Sequence, residues 1–514
     1  MSGMTRLRAV LSCSPSLIAA TACGATYTVH PLPQQNGVEV TISVSRPSTQ
    51  FRMPAWAPGD YRIVNFGTNL ADVRFFRGGS PLPSEKAPQD PNLWRVPEGA
   101  DQVRYVVQGV RSGIFSENLR VSSREMFVQW PAVLGWFDGH SNEEHTLRVQ
   151  ALTPDSRVEV ALRRVPEADS GYFVFAATDY DSLIDAPLVM GPDIRVHSFI
   201  VGGKAHAVVG FGRNVPTDLS QYGALCSRIA ASALGLMGEL PYERYLFLID
   251  FNGPGGGLEH MNSARLAIPS GAPPKAMAGF LAHEFFHLYN VKRIRPKPLG
   301  PFDYTKPAVT GSLWWLEGVT DYYAEVLLLR AGIITPEEFL SEIGRALNIA
   351  RRSRSVSLDE SSRRVWEANN SAGYGINYYS GGKAVGALLD LAIRAATDGA
   401  RSLDNVLLAL YKETGGAKPG FAEGRIRELC VQFGGPSVGE VYDRCVMQAV
   451  PLPLDDILSK VGLEFSSRLS RAPGVNASAA ALLEAWLAAD GSRGRSPSLL
   501  STFRGSVSVS RTSL

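Results

Sequence analysis

His283-Glu284-Phe285-Phe286-His287 is the stretch on which the reading of this chain turns. It lies in an apolar run over residues 276–293, preceded by Pro273-Pro274 and followed by Pro296 and Pro298, which is the punctuation of a helix. Side chains at i and i+4 of a helix share a face one turn apart. The imidazoles of His283 and His287 can therefore both reach one ion at ~2.0–2.1 Å, the distance zinc takes from histidine nitrogen. Glu284 stands on a neighbouring part of the same face, where its carboxylate can hold a water on the metal and take its proton. A chance match is the plain alternative for the motif alone. Its helical setting, a candidate third ligand and motifs on both sides argue against that.

A catalytic zinc takes three protein ligands and keeps one position open. The third candidate is Glu317 in Trp314-Trp315-Leu316-Glu317-Gly318, at the start of a second predicted helix over residues 312–330 that Gly332 stops. Its apolar neighbours imply burial, and a buried carboxylate needs a partner that one zinc ion would supply. Asp321 follows a turn later on the same face, placed to accept a hydrogen bond from a ligand imidazole and fix its tautomer. A solvated helix carboxylate is the alternative reading for each.

Upstream, the pattern changes from helix to strand. Residues 38–44, 103–107 and 147–152 alternate apolar and polar with period two, between clusters such as Trp56-Ala57-Pro58-Gly59-Asp60. We expect a multidomain α+β chain: an antiparallel β-sandwich-like domain at 26–192, a mainly helical domain at 193–450, and a tail at 451–514. Further strands are expected around 194–211 and 242–251, and a third helix near 383–397. At 514 residues the chain is too long for one core. The last 49 residues, 466–514, rich in serine and arginine with little periodicity outside 479–489, read as mostly disordered.

Composition removes several classes of function. Lys+Arg 51 against Asp+Glu 49 leaves a net charge of +2, so no global field attracts nucleic acid or an anionic membrane. No segment beyond the N-terminus has the ~18 continuous apolar residues of a membrane span. The five cysteines have neither CxxC spacing nor the density of a disulfide scaffold; Cys430 and Cys445 either pair or are buried thiols. Residues 1–25 carry Arg6 and Arg8 and then an apolar stretch ending in small residues, the order of parts of a secretory signal. Export to the periplasm or outside is the expectation, with a cytoplasmic location as the alternative.

HExxH followed on the next helix by a glutamate in a Trp-Leu-Glu-Gly context, with Asp321 four residues later, resembles the gluzincins, the group containing thermolysin and the aminopeptidase N family. More narrowly, the chain resembles the glycyl aminopeptidase family over about residues 27–465. The shared stretches are 56–61, 179–187, Gly256-Gly257-Leu258-Glu259-His260, the HExxH helix, Glu317–Tyr323 and Tyr378-Tyr379. The resemblance implies a β-rich N-terminal domain, a thermolysin-like zinc peptidase domain and often a C-terminal PDZ domain. Residues 455–465 look like a PDZ lead-in, but no Gly-Leu-Gly loop follows, so that module is expected to be absent or truncated.

The same resemblance assigns a substrate side. In aminopeptidase relatives an oxyanion-stabilising tyrosine stands in Tyr-x-Lys-Gly. Tyr379 matches it, with Gly381 in place of the lysine, which leaves Tyr378 and Tyr374 open, as well as a merely packing aromatic. Gly256, Gly257 and Glu259 resemble the Gly-x-Met-Glu-Asn strand that pairs with the substrate backbone and binds its α-amine. For Glu259 an exposed loop carboxylate is the alternative, and His260 reads as a packed or hydrogen-bonded histidine. The glycine run lacks the Lys-Ser/Thr of a phosphate loop. The expectation is a one-zinc aminopeptidase acting on peptides or proteins, with N-terminal Gly or Ala preferred as the family implies. A zinc endopeptidase is the alternative, and a non-catalytic peptide-binding protein on a peptidase scaffold is a third reading.

Overall fold

The computed structural model describes residues 24–488, apart from 110–118, 168, 170, 252, 254, 353–354, 368–377 and 416–418. Most of the expected signal segment, Tyr374 and the last part of the tail lie outside the described residues. No helix among the described residues is long and apolar enough to cross a membrane.

The period-two runs form long strands. Gly37–Arg52 buries Val38, Val40, Ile42 and Phe51 and pairs antiparallel with Ala25–Leu32 and Leu93–Gln108. These strands lie in a ten-stranded sheet, antiparallel except where Ala25–Leu32 runs parallel to His145–Gln150. A four-stranded sheet of Arg157–Glu159, Leu188–Gly191, Met126–Val128 and Leu119–Val121 packs against it. Val40, Ile42, Tyr105 and Leu147 of the large sheet share one core with Val121, Met126, Val128 and Met190 of the small one, which makes the N-terminal domain a β-sandwich.

The small sheet is apolar on both faces. Phe127 and Val189 point away from the sandwich and pack with Ile194, Ala207, Val209, Phe211, Leu246 and Leu248 of the next domain. Met126-Phe127-Val128 and Leu188-Val189-Met190 are therefore unbroken apolar runs, as strands buried on both sides must be.

The second domain opens with a five-stranded sheet in the order Arg195–Val201, Lys204–Phe211, Arg244–Asp250, Ser263–Ala267, Gly257–Glu259. Gly257–Glu259 is its edge, antiparallel to Ser263–Ala267. Helices follow, with Phe285, Phe286, Trp314, Trp315, Tyr323 and Leu388 in a common core.

The predicted helices shift in detail. The one carrying His283 is a 3-10 turn at Pro274–Met277 and an α-helix only at Ala278–Phe286. Just beyond its end, the Asn290 side-chain amide donates to the carbonyl of Trp315 at 2.8 Å and to Thr320 Oγ1 at 3.0 Å, tying this segment to the next helix. Trp314–Val319 is a π-helical segment that continues into the α-helix Thr320–Arg330. The third helix begins earlier than expected, at Tyr378, and runs to Ala396.

The expectation of a disordered tail over 466–514 is corrected for residues 466–487, which continue an ordered segment that begins at 454. Helix Leu454–Leu458, a hairpin of Leu463–Phe465 with Leu469–Arg471, and helix Ala477–Leu487 are all ordered. Leu482, Leu483, Trp486 and Leu487 are buried; Trp486 crosses Phe339 at 5.0 Å and donates from its indole to Tyr322 Oη at 2.9 Å. Asn476 caps the last helix by accepting from the Ala479 amide. Cys226, Cys430 and Cys445 are buried and in no disulfide, so Cys430 and Cys445 do not pair with each other.

Candidate metal centre and substrate cleft

His283 and His287 leave one face of the Ala278–Phe286 helix and its C-cap, and Glu317 reaches them from the π-helical segment. A π turn is a single wide turn often found at functional sites; here it sets Glu317 toward the imidazoles with Asp321 behind it. The three donor atoms are mutually close. His283 Nε2 lies 2.9 Å from His287 Nε2, His287 Nε2 lies 3.3 Å from Glu317 Oε2, and His283 Nε2 lies 3.7 Å from Glu317 Oε2.

Two ligands at ~2.0–2.1 Å from a tetrahedral zinc stand about 3.3 Å apart, so this triad fits the ion without rearrangement. Charge agrees with geometry. Glu259, Glu284 and Glu317 are all buried around the two imidazoles, an excess of negative charge that a divalent cation offsets.

Outer partners hold both rings. His283 Nδ1 is 2.8 Å from Asp321 Oδ1, and His287 Nδ1 is 2.7 Å from the carbonyl oxygen of Asn290. Each Nδ1–H then points outward and each Nε2 lone pair points at the ion position. Burial would raise the Glu317 carboxyl, but His287 and His283 pull it down to about 2. Burial pushes Glu284 up to about 7 against the pull of the same two imidazoles.

The cleft beside this centre is assembled from three remote pieces. Gly257 lies against Glu284 so closely that a methyl group there would collide with the carboxylate. Glu259 lies on the same side of the edge strand, its carboxylate within 4.8 Å of donor atoms on Glu284 and His287, with no hydrogen bond to its side chain among the described residues. Gly256 accepts from the Ala267 amide at 2.8 Å, which ties the start of the strand to its neighbour. The outer edge of Gly257–Glu259 pairs with no strand among the described residues and is free to pair with an extended peptide.

Tyr378 and Tyr379 open the third helix with ring centroids 4.9 Å apart, and the Tyr379 ring is 6.2 Å from that of His283. Burial, then the Glu317 charge, raises both hydroxyls above the usual tyrosine range, so both are neutral donors. Tyr379 also feels Glu259, whereas Tyr378 feels Asp60.

One cleft residue escaped the sequence reading. Tyr61, from the N-terminal domain, is buried beside Glu317, Glu259 and Tyr378, and its ring packs on Trp366 at 5.9 Å. Its loop is brought there by Gly59, at φ +87°, whose missing side chain leaves room for Leu258 and the Glu259 carboxylate. Asp185 and Lys292 were also missed. Asp185 accepts from Lys292 Nζ at 2.7 Å and from the Met261 amide at 2.6 Å, and lies 3.2 Å from His260 Nδ1, so His260 is a hydrogen-bonded histidine.

A β-sandwich followed by a helical domain with two histidines of one HExxH helix and a glutamate of the next defines a zinc peptidase of the gluzincin class. Comparison with known families agrees. The model for "M61 glycyl aminopeptidase" matches residues 276–385, and that for the "Peptidase M61 N-terminal domain" matches residues 26–192. Together they span more than half of the 514 residues, and the chain belongs to the M61 glycyl aminopeptidase family.

No match is found among curated protein sequences. Among solved structures, an aminopeptidase N family protein from Idiomarina loihiensis is 25% identical, with a TM-score of 0.78 over 85% of this chain and 78% of that one. An M1 zinc metallopeptidase from Deinococcus radiodurans (15% identity, TM-score 0.53, 84% of this chain, 96% of that chain) shares the fold. So does yeast LTA4 hydrolase (13%, 0.54, 84% and 68%). The chain is thus a peptidase of zinc aminopeptidase-like type.

Proposed function

We propose that this protein is a zinc aminopeptidase that releases small N-terminal residues, glycine or alanine, from peptides. His283, His287 and Glu317 would hold the ion, which when bound supplies a Lewis acid that acidifies water and polarises the scissile carbonyl. Glu284 takes the proton of the attacking water and returns it to the leaving amine. The Tyr379 hydroxyl donates to the carbonyl oxygen as negative charge develops there. The free edge of Gly257–Glu259 aligns the substrate backbone.

The observation that carries the exopeptidase reading is Glu259, a buried carboxylate with no hydrogen bond among the described residues, beside Glu284 and His287. A substrate ammonium satisfies it through a charge-assisted hydrogen bond, while a blocked N-terminus leaves it buried and unpaired. The Pro58-Gly59 turn packs against Leu258 and Glu259 and closes the cleft just beyond this point. Tyr61, Tyr378 and Tyr379 crowd the same end, which favours the smallest first residues.

The test is kcat/KM for free and N-acetylated forms of one Gly-leading substrate, in wild type and in Glu259→Ala. The wild type should prefer the free amine by at least ~30-fold, since unpairing such a group costs about 2–5 kcal/mol, and the substitution should narrow the gap. A wild-type ratio near one favours an endopeptidase.

A further inference from the structure

Helical spacing brings His283 beside His287 and Glu317 ahead of Asp321, but how closely the two segments approach is a separate matter. A metal site needs its ligand distances held to within about 0.2 Å. Asn290 touches both segments.

Asn290 lies three residues past His287 and is fully buried. Its carbonyl oxygen is 2.7 Å from His287 Nδ1 and so holds the ring of one ligand. Its side-chain amide crosses to the next helix, donating to the carbonyl of Trp315 at 2.8 Å and to Thr320 Oγ1 at 3.0 Å. Trp315 stands two residues before Glu317 and Thr320 three after it, so the two contacts bracket the third ligand. Thr320 Oγ1 donates in turn to the carbonyl of Leu316 at 2.7 Å, inside the same wide turn.

Chemistry fixes which way the amide faces. A carbonyl only accepts, and the Thr320 hydroxyl uses its one proton on Leu316, so the amide nitrogen faces both groups. The amide oxygen is then left buried with no hydrogen bond among the described residues. Buried polar atoms are overwhelmingly paired, and an apolar residue in this place would leave no such orphan. A fold that tolerates an unmatched oxygen where two donors are in use has a use for those donors beyond filling space. The π turn supplies one: it displaces carbonyls from the regular helical ladder, and a displaced carbonyl needs a donor from elsewhere.

We propose that Asn290 is a positioning residue that sets the separation of His287 and Glu317, with Thr320 as its anchor on the Glu317 side. It holds the imidazole through its backbone and the wide turn through its side chain, so one residue spans the 3.3 Å between His287 Nε2 and Glu317 Oε2. Asn290 acts on the ion only through these two ligands. The inference rests on His283, His287 and Glu317 holding zinc.

The experiment measures zinc affinity by chelator competition, the visible absorption of the cobalt-substituted protein, and urea unfolding of the metal-free forms. Asn290→Ala keeps the main-chain carbonyl beside His287, so a loss of affinity reports position and not a missing acceptor. It should weaken zinc at least ~10-fold, the lower end for a partner that orients a ligand. It should also change the cobalt bands, which report coordination number and geometry. Thr320→Val should act in the same direction more weakly, and Thr320→Ser, which keeps the hydroxyl, should restore the affinity. Thr414→Val is the matched control: Thr414 is likewise buried and donates to the Leu410 carbonyl at 2.8 Å, but on a helix that carries no ligand. It should lower stability and leave zinc affinity and the cobalt bands as they are.

Unchanged affinity and unchanged bands in Asn290→Ala overturn the proposal, as does a loss no larger than that of Thr414→Val. Should Asn290→Ala fail to fold, the Thr320 pair decides: weakening in Thr320→Val with recovery in Thr320→Ser supports the clamp, and no weakening, or equal weakening in both, overturns it. His287→Ala, measured alongside, keeps the two levels apart. Zinc lost there but unaffected in Asn290→Ala removes the clamp alone, whereas zinc retained at full stoichiometry in His287→Ala breaks the ligand assignment and the clamp with it.

Discussion

The metal centre and the substrate cleft are neighbours built in opposite ways. The centre draws its donors and their outer partner from two successive helical segments: His283 and His287 one turn apart, then Glu317 with Asp321, which holds His283, one turn later. The cleft is collected from the N-terminal domain, a sheet edge and a distant helix, through Tyr61, Glu259, Tyr378 and Tyr379. Helical periodicity alone can specify the first. Only the packed fold specifies the second, so its members are expected to share their work and to tolerate single changes better.

The largest effect should come from the centre itself. His287→Ala should lose zinc and turnover together, while Glu284→Gln should keep zinc at full stoichiometry and lose at least about 10²-fold in kcat. Metal analysis alongside kinetics reads both, and zinc retained in His287→Ala would break the ligand assignment.

Within the cleft, Tyr379→Phe should lower kcat by about 10²–10³-fold if it is the oxyanion donor. Tyr61→Phe should act mainly on KM, through the shape of the amine end. The reverse pattern would move the oxyanion donor to the N-terminal domain and blur the distinction between the two regions.

Asp321→Asn should weaken zinc affinity by roughly 10–100-fold in a chelator competition, since it orients His283 without touching substrate. Unchanged affinity would mean that helical spacing placed Asp321 there without use.

The smallest effect concerns the contact that joins the domains. Burial would raise Asp185, but Lys292 and His260 hold it down at about 2 against an ordinary 3.8. A depressed carboxyl stabilises the fold above pH 3.8 and loses that contribution as pH falls toward about 2, a change of about 2.5 kcal/mol at about 1.4 per unit. Urea unfolding of wild type should therefore fall more steeply with acid over this window than that of Asp185→Asn, and parallel curves would remove Asp185 as a pH-dependent clasp.

Legibility followed the same division. His283, Glu284, His287, Glu317 and Asp321 were readable because i, i+4 spacing in apolar surroundings fixes where side chains point. Asn290 was hidden inside a run that reads as helix, where nothing local indicates that its carbonyl and amide are used elsewhere. Tyr61 stood in a recognised stretch, yet a loop residue has no period to say which domain it faces. The last helix had its apolar spacing at Leu482, Leu483 and Trp486, but the serine and arginine around it masked that signal, and its burial depends on Phe339 and Tyr322 more than a hundred residues away.

The two-faced sheet of Met126–Val128 and Leu188–Gly191 bears on how the gene can be cut. A fragment starting near residue 193 would present Ala207, Val209, Phe211, Leu246 and Leu248 bare to solvent, and a fragment ending there would bare Phe127 and Val189. Each half would carry an adhesive wall in place of a surface. Neither half is a natural unit of expression or shuffling, and the two domains are expected to be inherited, and to melt, as one.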